Sequence, residues 1–552
     1  MITRRIVLIA ALSLLAAAVG AYLSTDEDQE PTGPTLNEMA DAVGTPLMTR
    51  VVRGHVPRRS GDIMLVPRPH VYMAVPWDMT TWGSDNPLTF TSHATGWGYL
   101  DHVPLVLYGP RHVPSGRIDE EVVDAASVAP TYASLVGLED FEADAPPLTG
   151  IGKSGRPRAI VTVIIDGGGW NVLRSAPEDW PTLKELSQKG TTFLNASVGT
   201  MPSVTGPVHT TFGTGRYPAR HGVPSNPWLQ LSDPTTIRVP TVSERWDEAS
   251  QNEAIVAGIM YESPHLGMIG VGRGRPKGDA DIAALWSDGQ EWISNPRFYD
   301  LPDYATAPAK ARIHRRLEAM DERDGNADGL WFGHEIADLD EENLPGTPTF
   351  VEMTGDLTLN VMRNEAIGAD SVTDFVWIEF KSPDFAGHLY NMVGPEVGDV
   401  LSQVDSELSD IKNALDELVP DRDYVLTVSA DHGQQPLADR VNGWPINKVE
   451  LEKDLQVRFP GVLKKATSVD LELDSEKVAE LNITPSDIAS WLVAYKISDN
   501  IPPGSSGIDR LPDDLLDRPV FAGAFTDEYL RALTPSDLSS FGASSFNEGS
   551  SE

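Results

Sequence analysis

Three stretches of this chain each end an apolar, β-branched run on a carboxylate. Val161-Thr162-Val163-Ile164-Ile165 delivers Asp166, followed by three glycines. Tyr424-Val425-Leu426-Thr427-Val428-Ser429-Ala430 delivers Asp431-His432-Gly433, and Phe375-Val376-Trp377-Ile378-Glu379-Phe380 is followed by Asp384 and, four residues on, His388. Such runs read as buried parallel strands, and in open α/β sheets functional groups collect beyond the carboxyl ends of the strands. The three tips are therefore expected to converge, with the residue types of a metal centre. Divalent ions held by carboxylates and imidazoles lower the pKa of water or an alcohol and stabilise phosphoryl oxygens, and a pair of ions clamps both attacking and leaving oxygens. Asp166, Asp431 and His432 are assigned to one ion, Asp384 and His388 to the other. Singly, each has a plainer alternative: Asp before Gly is a common turn residue, and a lone His is more often hydrogen bonded than metal bound. All three at strand ends together favour the metal reading.

A nucleophile is expected nearby. In Gly199–Gly215, Thr205 stands ahead of a helix entered through Gly206-Pro207, where dipole and free amides favour phosphate oxygens. Metal coordination would make its hydroxyl an alkoxide nucleophile. Taken alone, capping is the commoner role for such a threonine.

The elements that must position these groups alternate between strand and helix. Ile160–Ile165 reads as a strand, Pro181–Lys189 as a helix, Glu253–Met260 as a strand, Val397–Leu418 as a helix, and then comes the Tyr424 strand. That order indicates βαβ units around a mostly parallel sheet, an α/β class. With 552 residues, one large domain with insertions or two domains are expected. The formal charge of −38 argues against a nucleic-acid duplex as partner, because phosphate-backbone binding needs a basic footprint. Cysteine is absent, which excludes disulfides, thiolate ligands and a cysteine nucleophile.

Arg4-Arg5 precede an apolar stretch, Ile6–Leu23, of a length between a signal h-region and a short membrane span. Residues 1–23 are thus expected to be a signal peptide or membrane anchor, either of which places the body outside the cytoplasm, secreted or membrane-anchored. Residues 24–50 are taken as a tether, 141–158 as a Pro/Gly linker, 471–538 as an accessory region containing a helical stretch near Ser486–Tyr495, and 539–552 as a disordered tail.

Taken together, Asp166, Thr205, Asp384 with His388, Asp431-His432, and Arg216-Tyr217-Pro218-Ala219-Arg220-His221-Gly222 resemble the alkaline phosphatase superfamily in its type I phosphodiesterase/nucleotide pyrophosphatase branch. The resemblance implies a three-layer α/β sandwich, two zinc ions and a threonine nucleophile shared with the first ion. It also implies an asparagine about twenty-one residues after the nucleophile that donates to a phosphoryl oxygen, and Asn226 stands there. The family's second zinc takes another histidine from near the C-terminal end, yet none follows His432. Arg58–Pro67, Thr91-Ser92-His93, Asp101–Pro110 and Val128–Gly137 resemble the segments that normally close the family's domain. The chain therefore reads as circularly permuted. Residues 51–140 complete the catalytic sheet ahead of a core spanning 159–470, and His93 supplies the third ligand. His102 is the competing candidate, and Ala94 departs from the family's usual glycine.

Monoesterases of this group carry a Lys-x-Arg pair after the strand that follows the nucleophile. Tyr261-Glu262-Ser263 stands there instead, although Arg273, Arg275 and Lys277 are near. A diester carries less charge, so the resemblance implies hydrolysis of phosphodiester or pyrophosphate bonds in a small substrate. The alternatives are an alkaline phosphatase-like monoesterase and an inactive, phosphatase-like binding protein. A sulfatase-type enzyme is disfavoured because the nucleophile position holds Thr and Cys is absent. The insertion at about 262–372 is expected to cap the site. Within it, Asp324, Asn326, Asp328, Leu330 (through its carbonyl) and Glu335 occupy the ligand positions of a twelve-residue calcium loop after a helix at 309–320.

Overall fold

The computed structural model describes residues 33–546 apart from 78, 83–90, 153–154, 229–233, 288–290, 306–309 and 340–342. A nine-stranded sheet forms its centre. In chain order the strands are β1 (Leu105–Tyr108), β2 (Arg117–Asp124), β3 (Ala159–Ile165), β4 (Thr191–Ser197), β5 (Val256–Met260), β6 (Ile282–Ser287), β7 (Glu291–Ile293), β8 (Asp374–Phe380) and β9 (Tyr424–Ser429). Their spatial order is β2-β4-β1-β9-β3-β8-β5-β6-β7. The run β9-β3-β8-β5-β6 is parallel throughout, while β1 lies antiparallel between β9 and β4.

The seven residues of β3 and of β8 are all buried. Alternation divides them between two cores. Val161, Val163, Val376 and Ile378 pack on one face with the helices α2 (Pro181–Lys189), α5 (Pro348–Asn364) and α7 (Pro395–Leu418). Ile160, Ile164, Phe375 and Trp377 pack on the other with α1 (Val128–Val136), α3 (Thr205–Thr214) and α4 (Val242–Ala249). Period-two burial on a sheet covered on both sides gives the expected three-layer sandwich, and each such apolar side chain contributes roughly 1.5–3 kcal/mol by burial. Helix α7 begins at Pro395 after Gly394 and buries Val397, Val400, Leu401, Val404, Leu408, Ile411 and Leu415, a single stripe at helical spacing.

Register explains why the strand tips converge. Phe380 pairs with Ile165, and Ser429 with Ile164, so the chains leaving β3, β8 and β9 emerge level with one another. Asp166, Asp384 and Asp431 follow from those tips.

Several sequence expectations are corrected. Residues 36–50, expected as part of a tether, are helical. Leu36–Val43 and Thr45–Gly54 are helices whose Met39, Ala40, Val43, Leu47, Met48 and Val51 are buried, an apolar stripe that the polar flanks obscured. The segment 51–140 is divided: among its described residues only β1 and β2 join the catalytic sheet, whereas Ile63–Pro67 pairs with Phe521–Thr526 and Asp470–Leu473 in a second, four-stranded sheet. Residues 471–538 are accordingly packed against the N-terminal part of the chain through a shared core. The tail is ordered to Phe546, which lies edge-on to Trp97, and Ser545 N donates to Ala42 O. The insertion at 262–372 also contributes β6, β7 and α5 to the core, because Ile282–Trp286 is fully apolar and buried on both faces of the sheet. The apolar stretch Ile6–Leu23 and residues 547–552 lie outside the described residues; among those described, no helix is long and apolar enough to cross a membrane.

Candidate metal centre

Asp166, at the tip of β3, is fully buried. Its Oδ2 faces Lys381 Nζ at 3.0 Å and His265 Nε2 at 3.3 Å. Its Oδ1 has no hydrogen-bond partner, and neither do Asp431 Oδ2 or His432 Nε2, although all three atoms are buried. Asp431 Oδ1 accepts from Gly167 N at 3.1 Å, which aims the other oxygen inward. Gly167 is required there: its φ is +71°, and a Cβ would lie 2.9 Å from Asp384 Cα. Three converging, unpartnered ligand atoms in a dry site are the donor set a divalent ion takes up, and Asp166, Asp431 and His432 form one such group.

The second pocket is built on α6 (Ser382–Tyr390), whose first turn carries Asp384 and whose last carries His388. Four residues apart, they share a helix face. His388 Nε2 lies 3.3 Å and His93 Nε2 3.4 Å from Asp384 Oδ1. His93 stacks on His432 with ring centroids 3.5 Å apart, and lies 5.2 Å from His388. The structure thus brings His93 to the centre and leaves His102 outside it, bonded to the Leu194 carbonyl at 2.7 Å.

The three imidazoles are oriented alike. Nδ1 of His93 donates to Ser203 O at 2.9 Å, that of His388 to Thr91 O at 2.6 Å, and that of His432 to Gly433 O at 3.0 Å. A carbonyl only accepts, so each Nδ1 carries the proton and each Nε2 presents its lone pair to the carboxylates, the tautomer a metal ligand needs. Gln434, fully buried, donates from Nε2 to Asp384 Oδ1 at 2.6 Å and completes the support of that carboxylate.

Thr205 is buried and opens α3. Asn226 Oδ1 accepts from Gly206 N at 2.8 Å, so the carboxamide is anchored beside Thr205 by its oxygen and commits its NH2 end to donation.

Electrostatics favour bound cations. Asp166, Glu379, Asp384 and Asp431 are all buried here. Burial opposes the charge on Asp166, but Lys381, His265 and His432 hold it well below the usual carboxylate range. Burial likewise opposes Asp384, and Lys381 and His388 lower it. Burial and then His432 push His93 down to about 3, so it is a neutral imidazole. Burial would lower His265, yet Glu379 and Asp166 raise it to about 10 and keep it an imidazolium. Four carboxylates thus face two side-chain cations, Lys381 and His265, and divalent ions fit the deficit.

Four residues of the centre were not singled out from the sequence. His209, fully buried with both ring nitrogens unpartnered, lies 3.3 Å from Asp431 Oδ2; it follows Thr205 by four, a spacing that shares its helix face. It also groups with Asp166 and His265 as possible ligands. Glu379, 3.3 Å from His265 Nε2, is a carboxylate inside an apolar strand, which had to be paired. Lys381 stands three residues before Asp384 and 2.7 Å from its Oδ2. For His265 nothing in the local pattern gave a signal.

The calcium loop is not assembled. Asp324 accepts from the backbone N–H groups of Asn326 and Phe332, Asp328 from that of Leu330, and Glu335 is exposed on a short hairpin opposite Leu330. The Asp324 and Asp328 carboxylates close turns, and neither gathers with Glu335 into one group. The cations Arg273, Arg275 and Lys277 are engaged by Asp300, Glu244 and Glu248, away from the centre.

A family model for type I phosphodiesterase/nucleotide pyrophosphatase matches residues 160–500. The chain is 23% identical over 338 residues to a protein of Myroides odoratus named a calcium-transporting ATPase, covering 51% of this chain and 60% of the relative. It is 24% identical over 328 residues to alkaline phosphatase PafA of Elizabethkingia meningoseptica, covering 50% and 60%. A crystal structure of wild-type PafA superposes with a TM-score of 0.51 at 16% identity, over 68% of this chain and 85% of that one, a likeness of fold. The chain spans 60% of the length of these two curated relatives.

Proposed function

This chain belongs to the type I phosphodiesterase/nucleotide pyrophosphatase family of the alkaline phosphatase superfamily, and from that premise we propose that it is an extracytoplasmic two-metal phosphoester hydrolase using Thr205 as nucleophile. The observation that carries the reading is the set of three buried, unpartnered ligand atoms on Asp166, Asp431 and His432 beside Asp384, whose Oδ1 faces His93 and His388 and which groups with His93 and His432. Asp166, Thr205, Asp431 and His432 would hold one ion, Asp384, His388 and His93 the other, with zinc matched to imidazole and carboxylate donors. Such ions acidify an oxygen nucleophile and neutralise phosphoryl oxygens.

In this reading the Thr205 oxygen forms a bond to phosphorus as the bond to the leaving oxygen breaks in line. The Asn226 NH2, held by its Gly206 anchor, donates to a non-bridging oxygen as charge builds there. The N-terminus of α3 adds its dipole. Water then hydrolyses the phosphothreonine. Lys381 and the His265–Glu379 pair hold Asp166 in one orientation throughout.

Diester or pyrophosphate bonds are the proposed substrates, because Tyr261-Glu262-Ser263 supplies no cation and Arg273, Arg275 and Lys277 are engaged elsewhere. The second reading, a monoesterase, is favoured by Lys381, a buried ammonium at the centre, and by the phosphatase name of the PafA relative. The position of β1 between β9 and β4, with His93 arriving from the same preceding segment, supports a permuted chain order. The Ile6–Leu23 stretch is the motive for an extracytoplasmic setting, secreted or anchored. Hydrolysis of a nitrophenyl phosphodiester and its monoester by the zinc-loaded chain tests the proposal. Diester preference, lost in Thr205→Ala with zinc retained and lost in His93→Ala, is expected. Monoester preference selects the second reading, and full activity in Thr205→Ala overturns the nucleophile.

A further inference from the structure

A second acidic assembly lies at the other end of the sheet. Asp247 is on α4, and Asp279 and Asp281 lead into β6 at Ile282. This is the N-terminal end of β6, whereas Asp166, Asp384 and Asp431 follow the C-terminal ends of β3, β8 and β9. One carboxylate oxygen from each of Asp247, Asp279 and Asp281 lies within 4.8 Å of the others. Asp247 and Asp281 are only 4% and 7% exposed. Like charges are not gathered in a dry place without a counter-ion or a shared proton.

Asp247 Oδ1 is buried and has no hydrogen bond, while burial and then the neighbouring Asp279 push the Asp247 carboxyl up to about 7, so a bound cation would take the place of a proton held in the cluster. Beside the cluster opens a cleft of about 500 Å³ in which Glu253, Asp300, Asp303 and Glu365 join Asp279 and Asp281, with no lysine or arginine among its described lining residues. The basic side chains around it are committed: Arg273 to Asp300 of the cleft wall at 3.1 Å, Arg275 to Glu244 at 3.1 Å and Lys277 to Glu248 at 3.0 Å.

We propose that Asp247, Asp279 and Asp281 bind a calcium ion that ties α4 to the start of β6. The donors are oxygens only, without imidazole or thiolate, which selects a hard cation. Irregular spacing of ligands on a helix and a loop, with an open cleft for water, suits the flexible coordination of calcium better than the strict octahedron of magnesium. The ion stabilises the folded chain by mass action, since the three ligands meet only there. Through β6, whose Trp286 N donates to Tyr261 O at 2.8 Å, it also steadies the turn that leads to His265. The site is separate from the catalytic pair and from the 324–335 loop.

The test is calcium titration of the zinc-loaded full chain, followed by calorimetry and thermal melting. One bound calcium is expected beyond the zinc ions, with a melting temperature several degrees higher at saturating calcium and a smaller response to magnesium. Asp281→Asn is expected to abolish that rise, and Asp279→Asn, on an exposed residue that leaves the core intact, to weaken calcium at least tenfold. Both are expected to retain phosphoester turnover, and Asp324→Asn to keep the full calcium response. The proposal is overturned if Asp279→Asn and Asp281→Asn bind calcium like the parent. It is equally overturned if the parent shows no calcium response, or if magnesium acts equally well.

Discussion

Lys381 Nζ stands 3.0 Å from Asp166 Oδ2 and 2.7 Å from Asp384 Oδ2. One ammonium therefore bridges a carboxylate from each of the two proposed metal pockets. Removing it leaves buried carboxylates unpaired, a change that costs about 3–5 kcal/mol when nothing replaces the partner. Lys381→Met is expected to lower the melting temperature of chelator-treated protein steeply and that of the zinc-loaded protein much less, because bound cations replace the lost charge. Equal losses with and without zinc would show that Lys381 is not part of the same charge balance.

Gln434 donates to Asp384 Oδ1 and fills the space beside Gly387. Loss of such an outer partner lowers metal affinity by about 10–100-fold. Gln434→Ala is expected to release one zinc equivalent at chelator concentrations that leave both in the parent, with activity restored by excess zinc. Unchanged zinc retention would remove Gln434 from the ligand support.

Asn226 is expected to act on the transition state rather than on the ions. Asn226→Ala should lower kcat by about 10²–10³, the usual effect of deleting one oxyanion donor, with both zinc equivalents retained. A change confined to KM would make it a ground-state binding residue.

Glu407 gives a pH signature away from the centre. Burial, with Asp410, Asp356 and Glu352 adding, pushes it up to about 7 from an ordinary 4.5, against the opposing bond from Gln403. A carboxyl raised on folding lends stability that is complete below its unfolded pKa and is lost as pH rises through the folded one. Stability should therefore decline between pH 4.5 and about 7 on this account. Glu407→Gln, neutral at every pH, should flatten that decline in denaturant melts; parallel curves would assign the effect to other groups.

What was legible in the sequence follows from how local each signal is. Asp166 and Asp431 are visible because an apolar run ending in Asp is a strand tip whatever the rest of the chain does, and Asp384 with His388 because a spacing of four shares a helix face. Lys381 and His265 reach Asp166 from distant parts of the chain, and no local pattern marks a long-range ion pair. His93 came from a family resemblance, since nothing in Thr91-Ser92-His93 alone points to a metal. The helices at 36–54 were missed because Asp, Glu and Pro around them outweighed a clear stripe of Leu, Met and Val. The 324–335 loop has the residues of a calcium site, yet the carboxylates close turns with their own backbone, which spacing alone does not distinguish.

The placement of β1 also bears on how the protein comes into being. Leu105–Tyr108 lies between β4 and β9, and β9 is translated long after β1 has left the ribosome. One edge of β1 can close on β4 once Ser197 has been made, but its other edge must wait for β9, when most of the chain is complete. A nascent chain of this topology therefore carries one open apolar strand edge until Ser429 has been made, and such an edge on an incomplete chain is a site of misassembly.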